Sequence, residues 1–189
     1  MRYTHIGIAL CCCLPLMTAA AEPGRPMSEM QGDCSNYAWV LDHEMALADE
    51  TSTKATAATE SGQSGPLIAI DRWYGATLSP DADVHYVTEP EKGAHIPDSY
   101  AGLFVFEVPQ DGVYRVSANQ RVWITLASIT GQRIDSIRFE MQAQCKSVFK
   151  SVAYPLKSNQ KYWLQLTAAQ NPEVKILITR EPTKFSRRH

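Results

Sequence analysis

From residue 67 onward, hydrophobic positions come in short runs that are separated by glycine, proline, asparagine and aspartate. Several runs alternate hydrophobic and polar residues with a period of two, which is typical of β-strands that bury one face. The run at 102–109 is apolar at both phases, so we predict a central strand covered on both sides. Turn residues at 110–112 precede the run at 113–118, and we predict that these two runs form a hairpin. A slip of the apolar phase at 134–141 predicts a β-bulge.

Residues 67–181 are therefore predicted to form one mainly β domain. Strands at even spacing favour an antiparallel β-sandwich, jelly-roll-like, of about eight strands, with a partly open barrel as the alternative. No helical pattern lies between the strands, which excludes an α/β fold. The polar positions that we assign to the phases opposite the apolar rows are Lys150, Gln165, Thr167, Lys175 and Thr179.

Ahead of this domain, apolar residues recur at helical spacing. Asp33 can act as an N-cap, and apolar side chains follow at intervals of four, three, four and three. These side chains are Cys34, Ala38, Leu41, Met45 and Ala48. The spacing predicts one N-terminal amphipathic helix at 33–49.

Residues 50–66 are rich in threonine, serine and glycine and contain few side chains worth burying. This composition predicts a disordered linker between the helix and the β domain. A continuation of the helix through the alanines of this segment is the alternative.

The first residues have the order of a secretory signal. Arg2 and His5 precede a short apolar stretch, and small residues follow at 17–21. We therefore predict a cleaved signal peptide at 1–21, a flexible lead at 22–32 and a periplasmic or secreted protein. A lipoprotein signal is the alternative because cysteines occupy positions 11–13, although lipidation at Cys11 would leave a very short hydrophobic run before it. The apolar stretch is too short to cross a bilayer, so we predict no membrane span.

The net charge and the cysteines indicate which partners are expected and which disulfide can form. The formal net charge of −2 gives no long-range attraction to nucleic acid, and we predict no nucleic-acid partner. After removal of the signal, Cys34 and Cys145 remain, and in an oxidising compartment they are expected to form one disulfide. The basic tail at 182–189 could contact anionic lipid or envelope polysaccharide, with a solvated terminus as the alternative.

Two segments resemble a known family. The runs GLFVFEVPQDGVY at 102–114 and YPLKSNQKYWLQL at 154–166 are similar to the strand, turn and Gly-x-Tyr rhythm of bacterial pre-peptidase C-terminal domains. The segment CSNYAW at 34–39 resembles a motif of short exported proteobacterial proteins of unknown function. The resemblance implies a secreted β-sandwich, and it transfers no active-site residues.

Catalytic motifs are absent from the sequence. It contains no Gly-x-Ser-x-Gly elbow, and its histidines lack the spacing of known zinc motifs. The candidate metal ligands are His85, Glu89, Glu91 and His95, with ordinary exposed side chains as the alternative. We predict no cofactor. A small periplasmic metal-dependent enzyme that uses His85, His95 and the nearby carboxylates remains the alternative function.

An aromatic side chain suggests binding instead. Trp163 shares a strand phase with Gln165 and Thr167, opposite the apolar row. An indole beside amide and hydroxyl groups on an open sheet face can stack on a sugar ring, whereas packing beneath another element is the alternative. We therefore predict an exported non-catalytic module of the cell envelope that binds a partner protein or glycan. The oligomeric state stays open.

Overall fold

The computed structural model describes residues 26–48, 51–61, 65–91 and 93–182. This part of the chain contains three 3₁₀ turns, one α-helix and 11 strands. The α-helix, α1, spans Asp42–Ala48, and the 3₁₀ turns span Met27–Glu29, Cys34–Asn36 and Asp81–Asp83. The strands are β1 (Thr53–Thr56), β2 (Tyr74–Thr77), β3 (Ser79–Pro80), β4 (Tyr100–Glu107), β5 (Gly112–Ala118), β6 (Trp123–Ser128), β7 (Arg133–Ile134), β8 (Arg138–Met141), β9 (Lys150–Leu156), β10 (Lys161–Ala169) and β11 (Glu173–Arg180).

The strands form two sheets. One sheet has the order β1-β2-β11-β5-β9-β8, and the other has the order β3-β4-β10-β6-β7. Neighbouring strands are antiparallel except for β1 and β2, which are parallel. The predicted mainly β, sandwich-like class is confirmed. The strand count is 11 instead of about eight, because short edge strands such as β1, β3 and β7 have no clear sequence pattern.

The predicted hairpin at 102–118 is wrong. β4 pairs with β3 and β10, whereas β5 pairs with β9 and β11 in the other sheet. The turn between them therefore carries the chain across the sandwich, and the inward rows of the two strands meet in the core, with Phe104 and Phe106 on one side and Tyr114 and Val116 on the other. The bulge predicted at 134–141 is also wrong, because the phase slips where the chain leaves β7 and crosses to β8 in the opposite sheet.

Both faces of β4 are buried, as its apolar pattern predicted. Phe104 and Phe106 belong to the core between the sheets, whereas Leu103 and Val105 face a second apolar cluster with Trp163 on the outer side. The segment around Val84 completes that second cluster. The five-stranded sheet is therefore covered on its outer face by loops.

The N-terminal segment covers the outer face of the six-stranded sheet. The predicted helix at 33–49 is divided into a 3₁₀ turn at Cys34–Asn36 and the helix α1 at Asp42–Ala48. Extended backbone begins at Tyr37, where it lets the rings of Tyr37 and Trp39 enter a buried cluster with Leu177. Packing of these rings therefore outweighs the helical spacing of the smaller apolar residues.

The disulfide between Cys34 and Cys145 is confirmed, with 4.5 Å between the Cα atoms. It joins the 3₁₀ turn of the N-terminal segment to the loop between β8 and β9. Three residues before Cys145, Gln142 is also buried, and its amide donates to the backbone carbonyl of Asn36 at 3.1 Å. The N-terminal segment is thus attached both covalently and by buried hydrogen bonds.

The predicted disordered linker and the predicted flexible lead both contain ordered structure. Within the predicted linker at 50–66, β1 pairs in parallel with β2, and Ala58 forms a bridge with Leu103. Within the predicted lead at 22–32, Met30 is buried and its carbonyl accepts from Ala143 N at 3.0 Å. Backbone pairing accounts for order in segments with few apolar side chains. The predicted signal peptide at 1–21 and nearly all of the tail at 182–189 lie outside the described residues. Among the residues described, no helix is both long and apolar enough to cross a bilayer.

Candidate functional site

A cavity of about 760 Å³ lies between the two sheets, where β6 and β7 face β8 and β9. Small-molecule sites typically have volumes of about 300–1,000 Å³, so this cavity has room for a small ligand. The wall toward the core includes Ile124, Val152 and Tyr154, which are all buried. Trp123 and Phe139 line it from opposite sheets. The cavity is therefore an extension of the hydrophobic core toward the surface.

The hydroxyl group of Tyr154, on the inner wall, already forms a hydrogen bond within the protein. The Tyr154 hydroxyl donates to the Ile124 carbonyl with 2.7 Å between the oxygens, and this bond links the two sheets. Burial raises the pKa of Tyr154, so the phenol stays neutral at physiological pH. The inner part of the cavity thus offers mainly apolar surface to a ligand.

Lys150 places a cation inside this apolar environment. Its Nζ donates to the Val122 carbonyl at 3.3 Å and lies 5.0 Å from the centroid of the Trp123 ring and 6.0 Å from that of Phe139. Both rings are within the range of cation–π attraction. Desolvation by burial lowers the pKa of Lys150 to about 8; Glu91 opposes this shift and Arg121 adds to it. The ammonium form therefore still predominates at neutral pH.

Charged residues surround the outer part of the cavity. Arg133 Nη1 lies 3.0 Å from Glu91 Oε1, and the same guanidinium donates to the Glu89 carbonyl. Arg121 and Asp135 also line the cavity and are exposed. Its titratable side chains other than tyrosine are thus three cations, including Lys150, and two carboxylates.

The sequence analysis misplaced Lys150. We expected it to face outward with the polar residues of the last strands, yet it lies on the same row of β9 as Val152 and Tyr154, whose side chains face the core. The sequence already indicated that Lys150 faces inward, because residues 150, 152 and 154 are alternate residues of one strand and lie on the same face. A lysine on an inward row is the feature that could have revealed this cavity.

The predicted glycan-binding face is covered. Trp163, Gln165 and Thr167 are all buried, and Trp163 packs in the outer cluster beneath the loop that contains Val87. Gln165 Oε1 accepts from Val87 N at 3.1 Å, and its Nε2 donates to the backbone carbonyl of Thr88 at 3.0 Å. The structure gives this set a packing role, because the loop occupies the surface on which a sugar would have to stack.

Two of the four candidate metal ligands, His95 and Glu91, have other side-chain partners. His95 Nδ1 lies 2.6 Å from Asp81 Oδ2, and the other carboxylate oxygen of Asp81 accepts from the Tyr86 hydroxyl. Glu91 pairs with Arg133, as described above. Within residues 26–48, 51–61, 65–91 and 93–182, no group of three or more histidine, cysteine, aspartate or glutamate side chains could hold a metal ion.

Comparisons with known proteins do not add a functional assignment. No protein-family model matches this chain, and no curated protein matches it either. The similarity to pre-peptidase C-terminal domains therefore stays a prediction.

Proposed function

We propose that this protein is an exported, non-catalytic binding module that holds a small, mainly apolar molecule in the cavity between its sheets. The observation that carries this proposal is the cavity of about 760 Å³ whose inner wall is formed by core residues. Apolar surface buried there contributes about 25 cal/mol per Å² to binding before the cost of association is subtracted.

The lining favours an apolar ligand over a glycan. A sugar that lost water in this cavity would need a hydrogen-bond partner for most of its hydroxyl groups. The inner wall offers few partners, because Ile124 and Val152 have apolar side chains and the Tyr154 hydroxyl is already bonded to a backbone carbonyl. We therefore replace the expected glycan or protein partner by a small molecule.

Export is part of the same proposal. The Cys34–Cys145 disulfide fits an oxidising compartment such as the periplasm or the medium.

A non-catalytic role is favoured over the metal-dependent enzyme. Two of the candidate metal ligands are already bound by other side chains, because His95 contacts Asp81 and Glu91 pairs with Arg133.

A neutral fluorescent probe tests the proposed cavity. N-phenyl-1-naphthylamine brightens when it enters an apolar site, and it carries no charge. We expect saturable brightening with the purified oxidised protein. Met141→Trp places an indole into the cavity lining and should remove most of this signal, whereas Leu67→Trp adds the same group at an exposed position outside it.

The outcomes separate the ligand classes. A cooperative thermal melting transition confirms that each variant is folded, and only folded variants are compared for binding. Absence of saturable binding to the folded wild-type protein, or equal binding by Met141→Trp, would overturn the proposal. Saturable binding of chitotriose or maltoheptaose without binding of the neutral probe would reinstate the glycan prediction instead.

A further inference from the structure

We infer that the cavity selects amphipathic carboxylates, in which an apolar chain occupies the inner part and the carboxylate pairs with Lys150. This inference rests on the proposed function and specifies its ligand class. It follows from the position of one ammonium group that pairs with no carboxylate among the residues that the structure describes.

The ammonium of Lys150 has unused hydrogen-bonding capacity. It carries three N–H donors, and among the described residues only the Val122 carbonyl accepts from it. No described carboxylate lies within the 4.0 Å that defines an ion pair with this nitrogen. A cation removed from water without a counter-anion is unfavourable, so an incoming carboxylate gains more here than at an exposed lysine.

The aromatic rings explain how the charge persists in the free protein. Trp123 and Phe139 attract the ammonium through their ring faces, but ring faces do not replace a charged acceptor. A carboxylate can therefore add charge-assisted hydrogen bonds while the rings stay in place.

The remaining charges of the cavity also favour an anion. Glu91 is paired with Arg133, which leaves Lys150, Arg121 and the exposed Asp135 without ion pairs among the described residues. Arg121 and Asp135 are both exposed and offset each other, so the half-buried Lys150 leaves this part of the cavity with a net positive charge.

The geometry of β9 separates a polar end from an apolar end. Lys150, Val152 and Tyr154 follow one another on the inward row of this strand. Four residues at a rise of about 3.3 Å each place Tyr154 roughly 13 Å from Lys150 along the strand. A linear molecule with its carboxylate at Lys150 and an alkyl chain of medium length directed toward Tyr154 matches this arrangement.

Matched ligands distinguish charge recognition from apolar binding. Decanoate and decanol have the same chain length, and each is titrated against bound N-phenyl-1-naphthylamine at pH 7. We expect both to displace the probe and decanoate to bind at least about tenfold more tightly, because a hydrogen bond between an ammonium and a carboxylate is stronger than one between neutral groups.

Variants assign the preference to one side chain. Lys150→Met replaces the ammonium by an unbranched apolar side chain of similar length, so it should abolish the preference for decanoate over decanol. Lys175→Met removes an exposed lysine of β11 and should keep the preference. Decyltrimethylammonium, which has a chain of the same length and the opposite charge, should bind more weakly than decanol.

Failure of this inference differs from failure of the proposed function. If decanoate and decanol bind equally well to the wild-type protein, the cavity is functional and the carboxylate inference is wrong. If the preference survives in Lys150→Met and is lost in Arg121→Gln, the anion binds at the exposed cation and the inference is also wrong. If neither ligand nor the probe binds, the proposed function itself fails.

Discussion

Arg115 and Glu44 form a buried ion pair beneath the N-terminal segment, with 3.3 Å between Arg115 Nη1 and Glu44 Oε1 and only 4% and 3% of the two side chains exposed. Arg115 also pairs with Glu181 at 2.6 Å and donates to the Val40 carbonyl at 3.0 Å. Its guanidinium lies 5.1 Å from the centroid of the Trp39 ring. One arginine of β5 thus holds α1, the preceding extended segment and the end of β11 on the same sheet face.

Replacement of this arginine should strongly destabilise the fold. Arg115→Leu leaves Glu44 buried without its cation, and such losses typically cost about 3–5 kcal/mol. We expect a reduction of that order in the free energy of unfolding, measured by urea titration of the oxidised protein. Arg72→Leu removes an exposed arginine and serves as the control, with an expected change below about 0.5 kcal/mol. Equal effects of the two substitutions would contradict the role assigned to Arg115.

Reduction of the disulfide should destabilise the N-terminal segment and the whole domain. Cys34 and Cys145 are 111 residues apart, and the loop-entropy relation gives up to about 4–5 kcal/mol for a loop of this length. We expect urea unfolding at a lower concentration in a Cys34→Ala, Cys145→Ala double variant. Intact mass after thiol alkylation, with and without reduction, shows whether both thiols are protected in the native protein. Two freely alkylated thiols without reductant would contradict the structure.

Lys150 should reduce stability at neutral pH. Its pKa is about 8 in the folded protein, below its usual value of 10.5, so above pH 8 the unfolded chain binds more protons than the folded protein. The free energy of unfolding contributed by this group therefore rises between about pH 8 and pH 10.5, by up to about 3 kcal/mol. We expect Lys150→Met to be more stable than the wild-type protein at pH 7, with the difference shrinking as pH rises. Urea titrations from pH 7 to pH 10 measure this, and a constant difference would contradict it.

Binding of decanoate should have the opposite dependence on pH. A bound carboxylate favours the ammonium form and raises the pKa of Lys150 above about 8. Affinity should therefore be constant between pH 6.5 and 7.5 and decrease above about pH 8, by up to tenfold per pH unit until the pKa of the complex is reached. Decanol affinity should not follow this profile, and Lys150→Met should flatten the decanoate profile. The measurement is probe displacement in buffers of matched ionic strength.

Gly102 allows close contact between β4 and the segment that follows β1. A Cβ at this position would lie 2.3 Å from the Cβ of Ala57. Gly102→Ala should therefore destabilise the protein by about 1–3 kcal/mol, because this part of the core must shift to admit the methyl group. Gly75→Ala in β2 is the matched control, since the nearest atom there, Ser52 Oγ, is 3.6 Å away. The measurement is the melting temperature of each variant. Equal melting temperatures would contradict the close contact between Gly102 and Ala57.

Only part of the candidate site could be predicted from the sequence. The cysteine pair was identified correctly because compartment and number leave one intramolecular pairing for Cys34 and Cys145. Trp163 was assigned to a strand phase opposite the apolar row, but local pattern does not show that a loop near Val87 covers that face. The cavity was not predicted: Lys150 on an inward row was the one hint, but the walls come from strands of two sheets that are separated along the chain.

The sequence by itself determined the β-rich class, because period-two alternation in runs such as 162–168 and 174–178 leaves each strand one apolar row to bury. Tertiary structure decided which strands pair, since the turn between β4 and β5 can close a hairpin or carry the chain to the opposite sheet with the same turn residues. It also decided that polar side chains such as Arg115 and Gln165 are buried, because an element distant in sequence covers each of them. Alternation specifies what a strand must bury, whereas the partner that buries it is chosen by the packing of the whole chain.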